Sequence, residues 1–242
     1  MRVALKTLKL IAILCFFSSS IASAVDSKGR LVSDLERDKR SKPEEVIEFV
    51  GVKAGEKVLD LLGGGGYYSH LLSHQVGKNG LVVLHNNKAY LPYVGKDLEK
   101  RFKNNELKNV ERLMSEADEL KLGMDRFDSA FFVMGFHDLY HTSPGWDVTE
   151  EKVLPQLRAA LKTKGKLLVI DHNAPVGSGK QSAQDMHRIE KAFVIEKLKH
   201  YGFHLLGESE ILVNSKDPLN ISAFDKSLKR NTSRFALLFE KQ

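Results

Sequence analysis

Cysteine is nearly absent from this sequence. Among 242 residues there is one, Cys15. It lies in an N-terminal stretch where Arg2, Lys6 and Lys9 precede the apolar run Leu10–Phe17, and Ala22-Ser23-Ala24 follows. A basic start, a short apolar run and an A-x-A site form the pattern of a secretory signal, so residues 1–24 are expected to be a signal peptide cleaved after Ala24. The apolar run is too short to span a bilayer comfortably, so no stable membrane insertion is expected after cleavage. The remaining chain has no cysteine. That excludes a disulfide, a thiolate nucleophile and a Cys-based metal site, and it suits an oxidising compartment such as a periplasm. A strong excess of one charge is also lacking. The whole chain carries +6, and loss of the three leader cations leaves +3. That balance is too mild to be a footprint for nucleic acid, so a small-molecule ligand is the better expectation. Internal repeats and low-complexity tracts are absent as well. Nothing in the sequence sets the oligomeric state.

What is present is globular. Hydrophobic residues make up 42% of the chain and charged residues 28%, and the length suffices for one α/β domain with a sizeable core. Residues 25–42 are polar and read as a solvated arm or short helix. The domain proper is expected over 43–242. Pro43-Glu44-Glu45 opens a helix, because proline is tolerated in the first turn and acids there interact favourably with the helix dipole. Strands are expected at Lys57–Leu61, Gly80–His85, Val110–Met114, Phe127–Met134, Lys166–Asp171, within Phe203–Val213, and at Arg234–Glu240. Helices are expected at Tyr67–Val76, around Leu98–Phe102, at Glu151–Leu161 and at Met186–His200. Alternating strands and helices, with near-continuous apolar strands, imply a mostly parallel sheet buried on both faces.

The chain is organised around Val58–Tyr68, where a short apolar strand reaches Asp60, four glycines follow, and a helix begins. Glycines permit positive φ and close approach of a ligand, and the helix start presents free N–H groups. This points to binding of a nucleotide-type ligand at the carboxyl end of the sheet. Two further polar constellations follow strands: His137, Asp138 and His141 after the fourth, and Asp171-His172-Asn173 after the fifth. Histidine is suited to general-base work near neutral pH. His137 or His172 is expected to deprotonate an acceptor, with Asp138 orienting the ring. His137 and His141 also lie four apart, which suits a metal if that stretch is helical, but no third ligand follows at a motif spacing, so no metal is expected. Asp185 reads as a helix cap and Arg188 as a surface cation, with this stretch a candidate lining of an acceptor pocket. Trp146, Tyr140 and Phe136 could wall that pocket.

With these signposts, together with Lys42–Val46 and Gly202-Phe203, the chain resembles the class I S-adenosylmethionine-dependent methyltransferases. More narrowly, it resembles the secreted predicted methyltransferases of bacteria. The resemblance runs from about Asp34 to the end. It implies an α/β, Rossmann-like, seven-stranded, mostly parallel sheet with an antiparallel last strand and helices on both faces. It implies S-adenosyl-L-methionine as cofactor, with Asp60, Gly63, Gly64 and Gly66 in the first loop. Leu62 stands where the family usually has its first glycine, which suggests a turn shifted by one residue. Asn86 stands for the acid that binds the ribose hydroxyls, and Asp118 matches the acid that meets the adenine amino group. It also implies that the fourth and fifth strands are neighbours, bringing His137, Asp138, His141 and His172 together. The expected activity is methyl transfer to a small-molecule oxygen or nitrogen. The rival readings are an exported, non-catalytic ligand-binding module of the same fold, favoured by Leu62 and Asn86, and a metal-assisted hydrolase built on the histidines.

Overall fold

The structure is a computed structural model that describes residues 29–103 and 107–242. The expected signal peptide lies outside the described residues. Seven strands form one sheet in the order β3-β2-β1-β4-β5-β7-β6. They are β1 Lys57–Leu61, β2 Leu81–Asn86, β3 Val110–Met114, β4 Phe127–Val133, β5 Leu161–His172, β6 Phe203–Ser209 and β7 Arg234–Lys241. Strands β1 to β5 pair in parallel, and β7 runs antiparallel between β5 and β6. The Rossmann-like sheet with an antiparallel last strand is therefore present. The strand order reverses at β1, whose carboxyl end is the switch point where ligands bind in such sheets.

The helices are α1 Val32–Ser41, α2 Pro43–Val50, α3 Tyr67–Val76, α4 Leu91–Phe102, α5 Glu150–Ala160, α6 Ser182–Met186 and α7 Lys191–His200. Alternation along the strands divides the core between the two faces. Val58, Phe131, Leu168 and Ile170 pack with Val46 and Val50 of α2 and Leu71, Leu72 and Val76 of α3. Leu59, Leu61, Ala130, Phe132, Leu167 and Val169 pack on the other face with Val153, Leu154 and Leu157 of α5 and Val194 and Leu198 of α7.

Three expectations differ from the structure. The helix expected over Met186–His200 is broken into α6 and α7. His187 sits between them in the left-handed region at φ 49°. Arg188 is not a surface cation. It is fully buried and donates from both terminal nitrogens to Asp217 at 3.0 and 2.9 Å. The polar stretch before Pro43 contains α1, which docks onto the domain through an ion pair. Asp34 is buried and meets the Arg101 guanidinium of α4 at 2.7 and 3.0 Å. A short helix was one of the two readings of this stretch, but a hydrophobic pattern could not reveal its docking, because the inward face is charged.

Candidate active site

The turn after β1 is shaped by close approach. A side chain at Gly63 would place its Cβ 2.5 Å from the Asp60 carboxylate and 2.6 Å from Leu84. Gly64 and Gly66 have φ of +60° and +78°. Leu62, just before them, has φ 50°. Leu62 takes the left-handed conformation that a glycine would take without strain, and its buried side chain is retained in the core. Two buried groups hold this backbone. The Leu62 N–H donates to His85 Nδ1 at 3.5 Å, and Arg101 Nε donates to the Gly65 carbonyl at 2.6 Å.

A cleft of about 330 Å³ opens over this turn. Its floor is Asp60, Leu62 and Gly63–Gly65, and its walls include Tyr67, Tyr68, Tyr90, Val133 and Met134. Helix α1 supplies Arg37 and Arg40 to its rim, and the loop before β7 supplies Arg230. The Arg37 guanidinium lies 4.0 Å from the Tyr67 ring centroid, a cation–π contact that fixes it at the rim. Asp60 accepts a hydrogen bond from the Ser69 hydroxyl at 2.6 Å. Burial nevertheless pushes its carboxyl up to about 6, against the Ser69 hydrogen bonds and the Arg37 and Arg101 charges. Arginines at the rim and acids at the floor suit a zwitterionic amino acid. The side chains therefore fit the methionine half of S-adenosylmethionine, the carboxylate toward the arginines and the ammonium toward Asp60.

Two residues expected to grip the adenosine half are placed differently. The Asn86 amide is spent on the glycine turn: its Oδ1 accepts from Gly64 N–H and its Nδ2 donates to the Gly64 carbonyl, both at 2.9 Å. An aspartate could make the first bond but not the second. Asn86 thus fixes the turn from behind. Asp118 lies at the surface and pairs with Lys152 at 2.8 Å, outside the cleft. Its neighbours Ala117 and Leu120 are buried.

Beyond β4 and β5 the histidines do converge. Residues His137–Tyr140 form one turn of 3-10 helix. The buried His137 ring is clamped at both nitrogens, with Nδ1 2.7 Å from Asp171 Oδ1 and Nε2 3.2 Å from Asp138 Oδ1. Its backbone N–H also donates to Asp171, at 2.9 Å. Burial disfavours charge on this imidazole, but the two carboxylates outweigh it and push the ring up to about 10. The two carboxylates thus bias His137 toward its charged form, whereas the sequence suggests a free base. Asp171, and not Asp138, holds its Nδ1. His172 bonds through Nδ1 to the Thr232 hydroxyl at 2.7 Å, and burial followed by the His137 charge drives it well below its ordinary value. The network reaches the cleft through Tyr90, whose hydroxyl donates to Asp138 at 2.8 Å and whose ring stacks on Trp146 at 5.2 Å. His187, half-buried, sits edge-on to His137 with centroids 5.4 Å apart.

Arg37, Arg40, Arg101, Arg230, Tyr90 and His187 were not among the residues expected from the sequence to act. The arginine spacing on α1 was a possible signal for the first two. Nothing local marks Arg230, and His187 was anticipated only within the Asp185–Arg188 stretch expected to line an acceptor pocket.

A Rossmann-like sheet ending in an antiparallel hairpin, with a glycine turn and a buried acid at its switch point, is the architecture of a class I S-adenosylmethionine-dependent methyltransferase. The fold recurs in a SAM-dependent methyltransferase from Aquifex aeolicus, with a TM-score of 0.61, 24% identity, and coverage of 89% of this chain and 98% of that one. It recurs also in Aeropyrum pernix fibrillarin with natively bound S-adenosyl-L-methionine, at a TM-score of 0.52, 13% identity, and coverage of 81% and 73%. Residues 12–198 match the ubiE/COQ5 methyltransferase family, and the chain belongs to it. S-adenosylmethionine is the cofactor that family and fold assign. The ubiquinone/menaquinone biosynthesis C-methyltransferase UbiE of Pseudomonas fluorescens (strain Pf0-1) is 30% identical over 141 residues, which are 58% of this chain and 51% of that protein. The chain thus spans about half the length of the curated relatives it matches.

Proposed function

We propose that this protein transfers a methyl group from S-adenosylmethionine to a carbon atom of a small, electron-rich aromatic acceptor of the quinol type. The observation that carries the transfer is the cleft itself. It pairs a buried carboxylate and a half-buried glycine backbone with three rim arginines at the sheet's switch point. The carbon acceptor replaces the oxygen or nitrogen acceptor expected from the sequence. Its support is the C-methyltransferase name of the UbiE relatives and the stacked Tyr90–Trp146 pair beside the cleft.

When bound, the cofactor supplies an activated methyl on a sulfonium. The chain's own residues bind and orient. Asp60 and the turn carbonyls receive the ammonium, and Arg37, Arg40 and Arg230 receive the carboxylate. Val133, Met134 and Tyr90 form the wall against which an acceptor ring lies. Such positioning is a large share of what a transfer between two bound molecules requires. Asp138 accepts the hydrogen bond of the Tyr90 hydroxyl and so links that wall to the histidine network.

The test is incubation of the protein with S-adenosylmethionine and a panel of quinols, phenols and amines, read by mass spectrometry of the acceptor. Gain of a ring methyl supports the reading. Methylation only of oxygen or nitrogen overturns the carbon acceptor. Bound cofactor with no methylated product from any of them favours the ligand-binding module. We further propose export through residues 1–24. Terminal sequencing of the protein from cells should begin at Val25, and a protein beginning at Met1 would refute this.

A further inference from the structure

We propose that His137, Asp138 and His187 form a binding site for one divalent transition-metal ion of the zinc class. One donor atom from each of the three lies within 4.8 Å of the others. Asp138 Oδ1 is the pivot, 3.2 Å from His137 Nε2 and 3.9 Å from His187 Nδ1. Two imidazoles and one carboxylate form a donor set that suits zinc or ferrous iron and leaves coordination positions open for water or an acceptor oxygen.

The surroundings are those of a metal centre. Ligating histidines usually give their second nitrogen to a carboxylate, which fixes the ring. His137 does so, with Nδ1 at 2.7 Å from Asp171, and Asp171 is itself fully buried and receives the His137 and His172 backbone N–H groups at 2.9 and 2.7 Å. Asp138 is tied at its other oxygen by the Tyr90 hydroxyl, which leaves Oδ1 for the pivot. Among the described residues no lysine or arginine pairs with Asp138 or Asp171, so two enclosed carboxylates have only histidines to balance them. A divalent cation supplies the missing charge.

His187 is brought to the site as the C-cap of α6, in the left-handed region at φ 49°, four residues before α7 begins. His141 stacks on it with centroids 4.8 Å apart, and its enclosed Nδ1 has no hydrogen-bond partner. The sequence pairing of His137 with His141 is therefore replaced by His137 with His187, fifty residues away.

The test uses untagged full-length protein, freed of metal with a chelator and titrated with Co²⁺ and Zn²⁺ without cofactor or acceptor. One Co²⁺ per chain is expected, with visible ligand-field absorption, together with a rise in melting temperature on adding Zn²⁺. His187→Ala and Asp138→Asn should lose both signals. Asp171→Asn should bind about 10–100-fold more weakly. His74→Ala, which alters the separate His70–His74 pair, should bind like the parent. No binding by the parent at micromolar metal overturns the proposal. So does undiminished binding by both His187→Ala and Asp138→Asn, or loss confined to His74→Ala. The melting-temperature response of the parent decides the matter even if a variant fails to fold.

Discussion

Replacing Arg101 by methionine should loosen the roof of the cofactor cleft. The Arg101 guanidinium is 2% exposed and Asp34 6%. Their two hydrogen bonds, at 2.7 and 3.0 Å, tie α1 to α4 across 67 residues of sequence. Nε holds the Gly65 carbonyl of the turn at 2.6 Å. The nearest other cation to Asp34 is Arg30, whose Nε is 4.0 Å away while its terminal nitrogens are committed to Asp38 at 2.7 and 2.9 Å. Removing Arg101 alone therefore leaves a buried carboxylate with a weak partner, which costs about 3–5 kcal/mol. For a domain of this size that lowers the melting temperature by roughly 10 °C. Replacing both residues, Asp34→Leu with Arg101→Met, removes the stranded charge. The Gly65 carbonyl and His70 Nδ1, 3.3 Å from the guanidinium, then lack their partner, a loss of about 1–3 kcal/mol. Urea unfolding of the parent, both single variants and the double variant closes the cycle. If Arg101→Met cost less than about 1 kcal/mol, or if the double variant were as unstable as that single one, α1 would not be held by this pair.

Asp60 should make cofactor affinity depend on pH. With its carboxyl raised to about 6, the free protein holds a proton there at acidic pH, and a bound ammonium must displace it. Calorimetric affinity for S-adenosylmethionine should rise about tenfold per pH unit up to about 6 and then level off. Asp60→Asn should flatten the curve, and a flat curve in the parent would refute the pairing. The folded-state value lies above the unfolded one, so this group's contribution to stability is fully present below about 4. It is lost as pH climbs through about 6, on the order of 3 kcal/mol in all. The glycines should separate by role. Gly63→Ala places its Cβ 2.5 Å from Asp60 and should cost about 1–3 kcal/mol while abolishing cofactor binding. Gly95→Ala lies within α4 with nothing near its Cβ and should gain about 1 kcal/mol by thermal melting.

The parts of the fold that were legible in the sequence are those set by local pattern. Lys57–Leu61, Tyr67–Val76 and Val110–Met114 have the expected bounds, the first two because apolar residues and nearby glycines mark their ends. The glycine turn with Asp60, and the meeting of His137, Asp138 and His172 beyond β4 and β5, followed from order and fold. What was not legible depends on partners distant in sequence. Asp34 is buried because Arg101 faces it, and Arg188 is buried because Asp217 does. His187 breaks a helix for which the local pattern gave no stop signal. Strand β5 begins at Leu161, five residues before the expected start, because Leu161 pairs with Phe127 ahead of a register shift, and the polar residues between it and Lys166 mask that pair in the sequence. Asn86 has the position of a ribose ligand, yet its amide bonds the Gly64 backbone through both its oxygen and its nitrogen, and only side-chain coordinates reveal that.

The most direct test of the cleft as the cofactor site is calorimetric titration of the purified protein with S-adenosylmethionine and S-adenosylhomocysteine. Binding of one ligand per chain, at about micromolar affinity and lost in Asp60→Ala, is the expected result. A folded protein that gives no heat with either ligand at millimolar concentration would contradict it.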